Sequence, residues 1–412
     1  MTPSIDPRRR FVVGAFLGAG ALLPWSTLSL AASGNASGRR FVLVILRGGM
    51  DGLSAVPAIG DPSFEAARAA LGRFATPPLA LDGPFALHPQ LVQAHAMYGR
   101  GELAVVHAVG LPYRERSHFD AQQVLESGGV RPYELGSGWL GRALGDGPAR
   151  GIALNTAVPL VLRGRAPVDT WAPSVLPEPS ADLVARIERM YAGDPVLATA
   201  LARAKALHLD SALTEMARGG DSAPMTPGTT SLPAGAANAR PGSFTVLARR
   251  AAEFLVKPDG PQAAVLEIGG WDTHANQANP NGAFVAALRQ LDAGLAALRD
   301  GLAGDGTWKR TVVVVATEFG REVAINGTQG TDHGTGGAAF VLGGAVKGGR
   351  VIADWPGLAK KDRFEGRDLR TTTDLRAVLK GVLADHLEVA GTALDGEVFP
   401  DSAAVRPLAL LA

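Results

Sequence analysis

The stretch TVVVVATEFGR, residues 311–321, is an apolar run that ends abruptly at polar and charged side chains. Two other segments have the same arrangement: FVLVILRGGMD at 41–51 and AAVLEIGGWDTH at 263–274. Strands buried on both faces of a parallel sheet are continuous Val, Ile and Leu runs, and ligands bind beyond the carboxyl ends of such strands. We therefore predict that the polar ends of the three segments meet at one edge of a parallel sheet and form the functional site.

Strand and helix patterns alternate outward from these runs. Apolar residues at 284–302 recur every three or four positions, which predicts a helix facing the core. Further helices are predicted at 243–256 and 373–386, and further strands at 103–109 and 338–342. The alternation predicts an α/β fold with a doubly wound, mainly parallel central sheet and helices on both faces.

The amino-terminal residues are typical of an export signal. Arg8, Arg9 and Arg10 precede a weakly apolar stretch, and small residues near Ala31 resemble a cleavage site. An uncleaved transmembrane anchor is the alternative, but the glycines, the proline and the short apolar core favour a signal. We predict a twin-arginine signal at 1–31, read by the twin-arginine translocase, and a periplasmic or secreted protein.

The remaining chain is long enough for one large domain. We predict a flexible mature N-terminus at 32–39, a single α/β domain at 40–402 and a C-terminal tail at 403–412. Within the domain, a helical and loop insertion is expected around 165–242, including a Gly-, Ser-, Thr- and Pro-rich loop at 219–241.

Bulk composition excludes several classes of protein. The chain has no cysteine, which excludes a lipoprotein and a small disulfide-linked domain. The 40 basic residues nearly balance the 39 acidic ones, and the net charge of +1 provides no field for binding nucleic acid. No Gly-x-Gly-x-x-Gly follows a predicted strand, which disfavours a dinucleotide-dependent oxidoreductase. Specificity must therefore come from a local site.

Oxygen and nitrogen donors cluster in the predicted loops. Such a set without sulfur suits Zn, Mn, Mg or Ca. A buried pair of Glu318 with Arg321, and a turn role for Asp272 and His274, are the structural alternatives. The predicted metal ligands are Asp51, Asp272, His274, Glu318, Asp332 and His333.

A second group of residues precedes a predicted helix. Ser117 followed by Asp120 is typical of a helix N-cap, and a hydroxyl at a helix start also suits a nucleophile. Arginine side chains nearby would hold an anion. The predicted catalytic residues are Ser117, Arg116, His118 and Arg321.

Five motifs in order carry a resemblance to a known family. They are RGGxDGL at 47–53, RSHFDAQ at 116–122, GWDTH at 270–274, TEFGR at 317–321 and TDHG at 331–334. With the twin-arginine start, they make the chain resemble the exported bacterial family called domain of unknown function 1501, from about residue 40 to 400. That family is similar to a distant branch of the alkaline phosphatase and sulfatase superfamily.

The resemblance implies an alkaline phosphatase-like fold with one or two divalent metals at the carboxyl ends of the central strands. It implies that Asp51, Asp272, His274, Glu318 and His333 correspond to metal-site residues and Ser117 to the hydroxyl nucleophile. Phe319 stands where the superfamily usually has a second histidine, and Glu318 stands where it has an aspartate. Genes of the domain of unknown function 1800 family often accompany this family, which suggests a protein partner.

Two functions follow as expectations. The first is an exported metal-dependent hydrolase of phosphate, sulfate or related anionic esters, acting on a small ester or a polymer. The alternative is a catalytically inactive periplasmic binding or assembly protein with the same fold.

Overall fold

The computed structural model of the protein describes residues 38–146, 150–173, 179–219 and 243–412. The predicted signal, most of the predicted flexible N-terminus and nearly all of the loop at 219–241 lie outside these ranges. No helix in the described part of the chain is both long and apolar enough to cross a lipid bilayer.

The described residues build one large central sheet and one small hairpin. The strands are β1 Arg40–Leu46, β2 Leu79–Ala80, β3 Ala86–Leu87, β4 Leu103–Gly110, β5 Gly151–Ala153, β6 Val168–Thr170, β7 Ala263–Ile268, β8 Thr311–Thr317, β9 Gly337–Leu342, β10 Arg350–Ile352 and β11 Thr373–Asp374. The central sheet runs in the order β10-β4-β9-β8-β1-β7-β5-β6, with β11 beside β4, while β2 and β3 form the hairpin. β6 belongs to this sheet, so the predicted insertion does not include residues 168–170.

The pairing is parallel throughout the central sheet except at β9. This strand runs antiparallel to both of its neighbours, β4 and β8. The mainly parallel α/β fold is therefore confirmed, but the strand predicted at 338–342 runs against the others. Consequently the carboxyl ends of β1, β4, β7 and β8 meet the amino end of β9 at one edge of the sheet.

Helices cover both faces of the sheet. They are α1 Gly52–Ala55, α2 Phe64–Arg68, α3 Val92–Gly99, α4 His118–Ser127, α5 Trp139–Leu144, α6 Ala181–Tyr191, α7 Pro195–Gly219, α8 Phe244–Leu255, α9 Ala283–Ala303, α10 Leu375–Leu387 and α11 Gly391–Ala393. Successive β1 side chains enter opposite cores: Val42 and Val44 pack with α3, α8 and α9, whereas Phe41 and Leu43 pack with α4, α5 and α10. Burial on both faces explains why β1 is a continuous apolar run.

The last ten residues pack onto the domain and do not form a separate tail. Leu410 is fully buried, and Leu411 forms a β-bridge with Val346. The Lys347 N–H donates to the Leu410 carbonyl at 2.9 Å. The boundary predicted at residue 402 therefore marks no end of the fold.

One histidine is enclosed in the core at a bulge of β4. His107 is fully buried between the rings of Phe85 and Trp355. Its Nδ1 accepts from the Ala108 N–H at 2.8 Å, so the proton lies on Nε2, 2.9 Å from the Val56 carbonyl. Burial lowers the pKa of His107 to about 4, although the hydrogen bond to Val56 opposes this shift.

We expect acid to destabilise the fold through this residue. Below pH 6.5 the unfolded chain binds a proton at His107, whereas the folded chain binds one only near pH 4 and below. The free energy of unfolding should fall across this window by at most about 3 kcal/mol from this group. Urea unfolding between pH 8 and pH 4 should show a smaller fall in His107→Gln than in the wild type. Equal falls in the two proteins would contradict the assignment.

Candidate metal centre

Four loops meet at the edge of the sheet described above. The loop after β7 carries Asp272 and His274, and β8 is followed directly by Glu318. The segment after β4 leads to His118 at the first position of α4. His333 precedes β9, and it reaches the same edge because β9 runs antiparallel to its neighbours.

Glycines allow these loops to lie backbone against backbone. Gly48, directly after β1, has φ +121°, and a Cβ there would lie 2.6 Å from the Asp272 nitrogen. A Cβ on Gly334 would lie 2.4 Å from the carbonyl carbon of Arg321. Arg321 also forms a β-bridge with His333. Close approach at these two glycines brings the ligand-bearing loops within side-chain reach of one another.

Imidazole nitrogens and a carboxylate oxygen converge at this edge. The ligand atoms of His118, Asp272 and His333 lie within 4.8 Å of one another, as residues holding a metal ion would. The His118 and His333 Nε2 atoms are 3.1 Å apart, and they lie 3.4 and 3.2 Å from Asp272 Oδ1. His274 joins them through its Nε2, which is 3.1 Å from His333 Nε2 and 2.9 Å from Asp272 Oδ1.

The other nitrogen of each ring faces a hydrogen-bond acceptor. The Nδ1 partners are Glu318 Oε1 for His118 at 2.8 Å, Asp332 Oδ1 for His274 at 3.1 Å, and the Arg116 carbonyl for His333 at 3.0 Å. Because an ionised carboxylate or a carbonyl can only accept, the proton of each neutral ring lies on Nδ1. The Nε2 atoms of His118 and His333 therefore present lone pairs beside Asp272 Oδ1, as metal-binding histidines do, and the Nε2 of His274 adjoins this group.

The spacing of these atoms also fits a small cation. In a tetrahedral zinc site the ligands lie about 2.0–2.1 Å from the metal, which places neighbouring ligand atoms about 3.3 Å apart. The three distances among His118 Nε2, His333 Nε2 and Asp272 Oδ1 range from 3.1 to 3.4 Å. The residues present therefore fit a divalent metal ion.

Neighbouring residues and burial shift the pKa values of the cluster residues. Burial would raise the pKa of Asp272, but the hydrogen bond and charge of Arg321, with smaller effects of His274 and His118, lower it to about 2. The hydrogen bond to Glu318 raises the pKa of His118, whereas burial lowers that of His333. Asp272 is thus an anion at all physiological pH values, which suits a metal ligand.

Glu318 and Asp332, both predicted as ligands, lie behind the histidines and contact their Nδ1 atoms. Glu318 is almost fully buried, and it also accepts from the Gly48 N–H at 2.8 Å and from Gln122 Nε2 at 3.2 Å. Burial raises the pKa of Glu318, but the hydrogen bonds from His118, Gln122 and backbone N–H groups together outweigh it and lower the pKa overall. These two carboxylates orient imidazoles, and they are not themselves part of the converging set.

Asp51 does not reach the cluster, which corrects its prediction as a ligand. Its carboxylate is 1% exposed and forms an ion pair with Arg68. It also accepts from Ser54 Oγ at 2.8 Å and Gln277 Nε2 at 2.6 Å, and it caps α1. Protein groups thus use the oxygens that a metal would need.

Neither predicted anion-binding arginine is free. The buried Arg321 donates from Nη1 to Asp272 at 2.8 Å and from Nη2 to the Thr331 carbonyl at 2.6 Å. Arg116 donates from Nε to Asp368 at 2.8 Å and from Nη2 to Glu365 at 2.6 Å. Arg321 therefore holds the Asp272 carboxylate in place, and Arg116 binds the segment that contains Glu365 and Asp368.

Ser117 occupies the N-cap position of α4, as its sequence pattern predicts. Its carbonyl accepts from the Ala121 N–H at 2.8 Å, but its side chain makes no capping hydrogen bond. The next residue is His118 and the previous one is Arg116, whose carbonyl holds His333. The hydroxyl thus lies on the segment that borders the cluster.

Two contributors were not predicted from the sequence. Gln277 Oε1 accepts from Thr273 at 2.8 Å and from Thr331 at 2.9 Å, so it ties together the two loops that carry the ligands. Phe319 packs against His118 and His333 with ring centroids 4.6 and 5.1 Å apart. Neither residue type signals such a role, and only the position of Phe319 beside Glu318 pointed to this site.

A protein-family model matches residues 94–398, which is most of the chain. The model is described as a protein of unknown function, DUF1501. The chain belongs to the DUF1501 family. The match includes His118, Asp272, His274 and His333, whereas the Arg47–Leu53 motif lies before its first residue. No curated protein matches the chain.

Solved structures similar to this DUF1501 protein are distant. Ps i-CgsB in complex with k-i-k-neocarrahexaose is 9% identical, with 87% of this chain and 74% of that chain covered and a TM-score of 0.41. The C-terminal periplasmic domain of EptC from Escherichia coli, in complex with Zn, is 10% identical, with coverage of 74% and 73% and a TM-score of 0.38. The lipoteichoic acid synthase LtaP from Listeria monocytogenes is 12% identical, with coverage of 79% and 69% and a TM-score of 0.36.

Glu318→Gln tests whether the Nδ1 partners support metal binding. The amide keeps an acceptor for His118 but loses the charge that favours a metal-ready imidazole, so zinc affinity should fall about 10- to 100-fold. Isothermal titration of the metal-free DUF1501 protein with Zn²⁺ measures this. Glu267→Gln is the control because Glu267 pairs with Arg47 and contacts no cluster histidine. Equal affinity in Glu318→Gln and wild type would contradict the role.

Proposed function

We propose that the protein is a metal-dependent hydrolase of phosphate, sulfate or related anionic esters, with its reaction centre at His118, Asp272, His274 and His333. One observation carries the proposal: the Nε2 lone pairs of His118 and His333 and the anionic oxygen of Asp272 lie together, and the Nε2 of His274 adjoins them. Acceptors placed this close repel one another, and a divalent ion would turn that repulsion into binding.

The ligand chemistry narrows the predicted range of metals. Mg²⁺ and Ca²⁺ prefer oxygen ligands, whereas three imidazoles with one carboxylate suit Zn²⁺ or Mn²⁺. We therefore favour Zn²⁺ or Mn²⁺ from the set predicted by the sequence. Phe319 packs on two of the histidines and offers no ligand atom, which favours one metal ion at this position.

When bound, the metal would polarise the ester and neutralise charge that develops on its oxygens. The protein groups prepare the site for this. Arg321 keeps Asp272 ionised and in place, and Glu318 fixes the ring of His118. Ser117 is the candidate nucleophile because its hydroxyl is not used in capping and it adjoins His118.

The alternative function is metal-dependent binding without catalysis, as in a periplasmic assembly protein. It is favoured by the two arginines, Arg116 and Arg321, whose guanidinium groups pair with protein carboxylates and do not face a substrate anion. A partner of the domain of unknown function 1800 family fits this second role. Export through the twin-arginine pathway, proposed from the consecutive arginines near the start, fits both.

The hydrolase proposal is tested with the purified protein reloaded with Zn²⁺ or Mn²⁺. Substrates are p-nitrophenyl phosphate, bis(p-nitrophenyl) phosphate and p-nitrophenyl sulfate. We expect turnover of at least one, and a fall in kcat/KM of at least about 100-fold in Asp272→Asn and His333→Ala. Ser117→Ala should lose turnover if the hydroxyl attacks the ester, and should retain it if water does.

The control variant is His95→Ala, whose ring contacts the Ala80 carbonyl at 3.0 Å and is not among the cluster residues. It should retain the activity of the wild type. Stoichiometric metal binding that depends on His333, with no turnover of any ester, would reject the hydrolase and support the binding protein. Absence of metal binding would reject both.

A further inference from the structure

A second concave site is lined by residues that follow the Asp272 and His274 loop, among them Gln277 and Pro280. It is a cavity of about 180 Å³ between the start of α9, the segment after α2 and the residues before α3. Ser54 and Gln277, both almost fully buried, line it and link it to the Asp51 network. The roles described above for the metal centre and the Asp51 network do not use this cavity.

The walls of the cavity are apolar and aromatic. Leu71, Phe284 and Val285 are buried, and Phe74 completes the wall. Between the two phenyl rings lies His88, with ring centroids 5.7 Å from Phe74 and 6.2 Å from Phe284 in edge-on geometry. Such a lining suits a flat apolar ligand body.

The His88 ring offers a hydrogen-bond donor at this cavity. His88 Nδ1 accepts from the Gln90 N–H at 3.2 Å, which leaves the ring proton on Nε2. Burial first, and then the charge of Arg289, lower the pKa of His88 to about 4, so the ring is neutral at pH 7. Its Nε2–H has no partner among the described residues, so it is available to a ligand acceptor.

The charge around the cavity is positive. Arg73 lines it and pairs with no carboxylate in the described part of the chain. Arg289 lies at the rim, where it donates to Gln90 Oε1 at 2.7 Å and to the Pro280 carbonyl at 3.0 Å. No aspartate or glutamate is among the described residues that line the cavity. An anion is therefore attracted and a cation is repelled.

We propose that this cavity is a binding site for a small organic carboxylate with a flat apolar body, separate from the metal centre. The body packs on the apolar wall that Leu71, Phe74, Phe284 and Val285 form beside His88. The carboxylate accepts from the Arg73 guanidinium and the His88 Nε2–H. A guanidinium matches a carboxylate with two parallel hydrogen bonds, which explains the preference for this anion.

Calorimetric titration of the full chain tests the site. The probes are benzoate, benzamide, which has the same ring without the charge, and acetate, which has the charge without the ring. Chelator-treated protein is used so that no probe binds through a metal. We expect saturable binding of benzoate, binding of benzamide weaker by about tenfold or more, and none of acetate at the same concentrations.

Variants locate the binding. Arg73→Gln should weaken benzoate about tenfold, and Ala75→Trp, which fills the cavity from its exposed wall, should abolish binding. Arg165→Gln, a change of an exposed arginine elsewhere, should have no effect. His333→Ala should bind benzoate like the wild type, which separates this site from the metal centre.

Several results would overturn the proposal. These are no saturable binding of benzoate to the wild type, equal binding of benzoate and benzamide, or unchanged binding in both Arg73→Gln and Ala75→Trp. Circular dichroism and melting temperatures of the variants establish that any loss is local. The outcome does not depend on whether the metal centre is catalytic.

Discussion

The proton on each imidazole of the cluster lies on the nitrogen that faces away from the common centre. Glu318, Asp332 and the Arg116 carbonyl enforce this arrangement because none of them can donate to the ring. The lone pairs of His118 and His333 are thereby brought beside the Asp272 carboxylate, with His274 adjoining them. Everything inferred about chemistry depends on this constraint, since rings turned the other way would form ordinary hydrogen bonds and attract no cation.

The fold supplies the constraint through the direction of one strand. If β9 ran parallel to β8, the loop before it would lie at the opposite edge of the sheet, and His333 could not meet Asp272. Buried links then fix the loops against each other. Gln277 ties Thr273 to Thr331 and also donates to Asp51, whose ion pair with Arg68 is fully enclosed. Removing one partner of such a buried pair typically costs about 3–5 kcal/mol.

The central strands could be predicted from the sequence because burial on both faces of a sheet produces continuous apolar runs. Residues 41–46, 263–266 and 312–316 are continuous apolar runs, and the structure has strands over them at Arg40–Leu46, Ala263–Ile268 and Thr311–Thr317. The polar ends of the runs do approach one another. The direction of β9 was not predictable, because a fully buried strand has the same apolar pattern whether it runs parallel or antiparallel.

The roles of individual side chains were harder to predict. Asp51, Glu318 and Asp272 all follow apolar strands, yet only Asp272 lies among the converging atoms. The difference arises from partners that are distant in sequence. Arg68 and Gln277 donate hydrogen bonds to the Asp51 carboxylate, and the ring of His118 hydrogen-bonds to Glu318. His118 was predicted as a catalytic residue and not as a metal ligand, since a histidine at a helix start does not reveal which loop it will face.

X-ray absorption spectroscopy of the zinc-loaded protein tests the central claim most directly. We predict a first shell of nitrogen and oxygen ligands with the outer-shell scattering of at least two imidazoles, reduced by one in His333→Ala. A spectrum without imidazole scattering, or one that His118→Ala, His274→Ala and His333→Ala all leave unchanged, would contradict this claim.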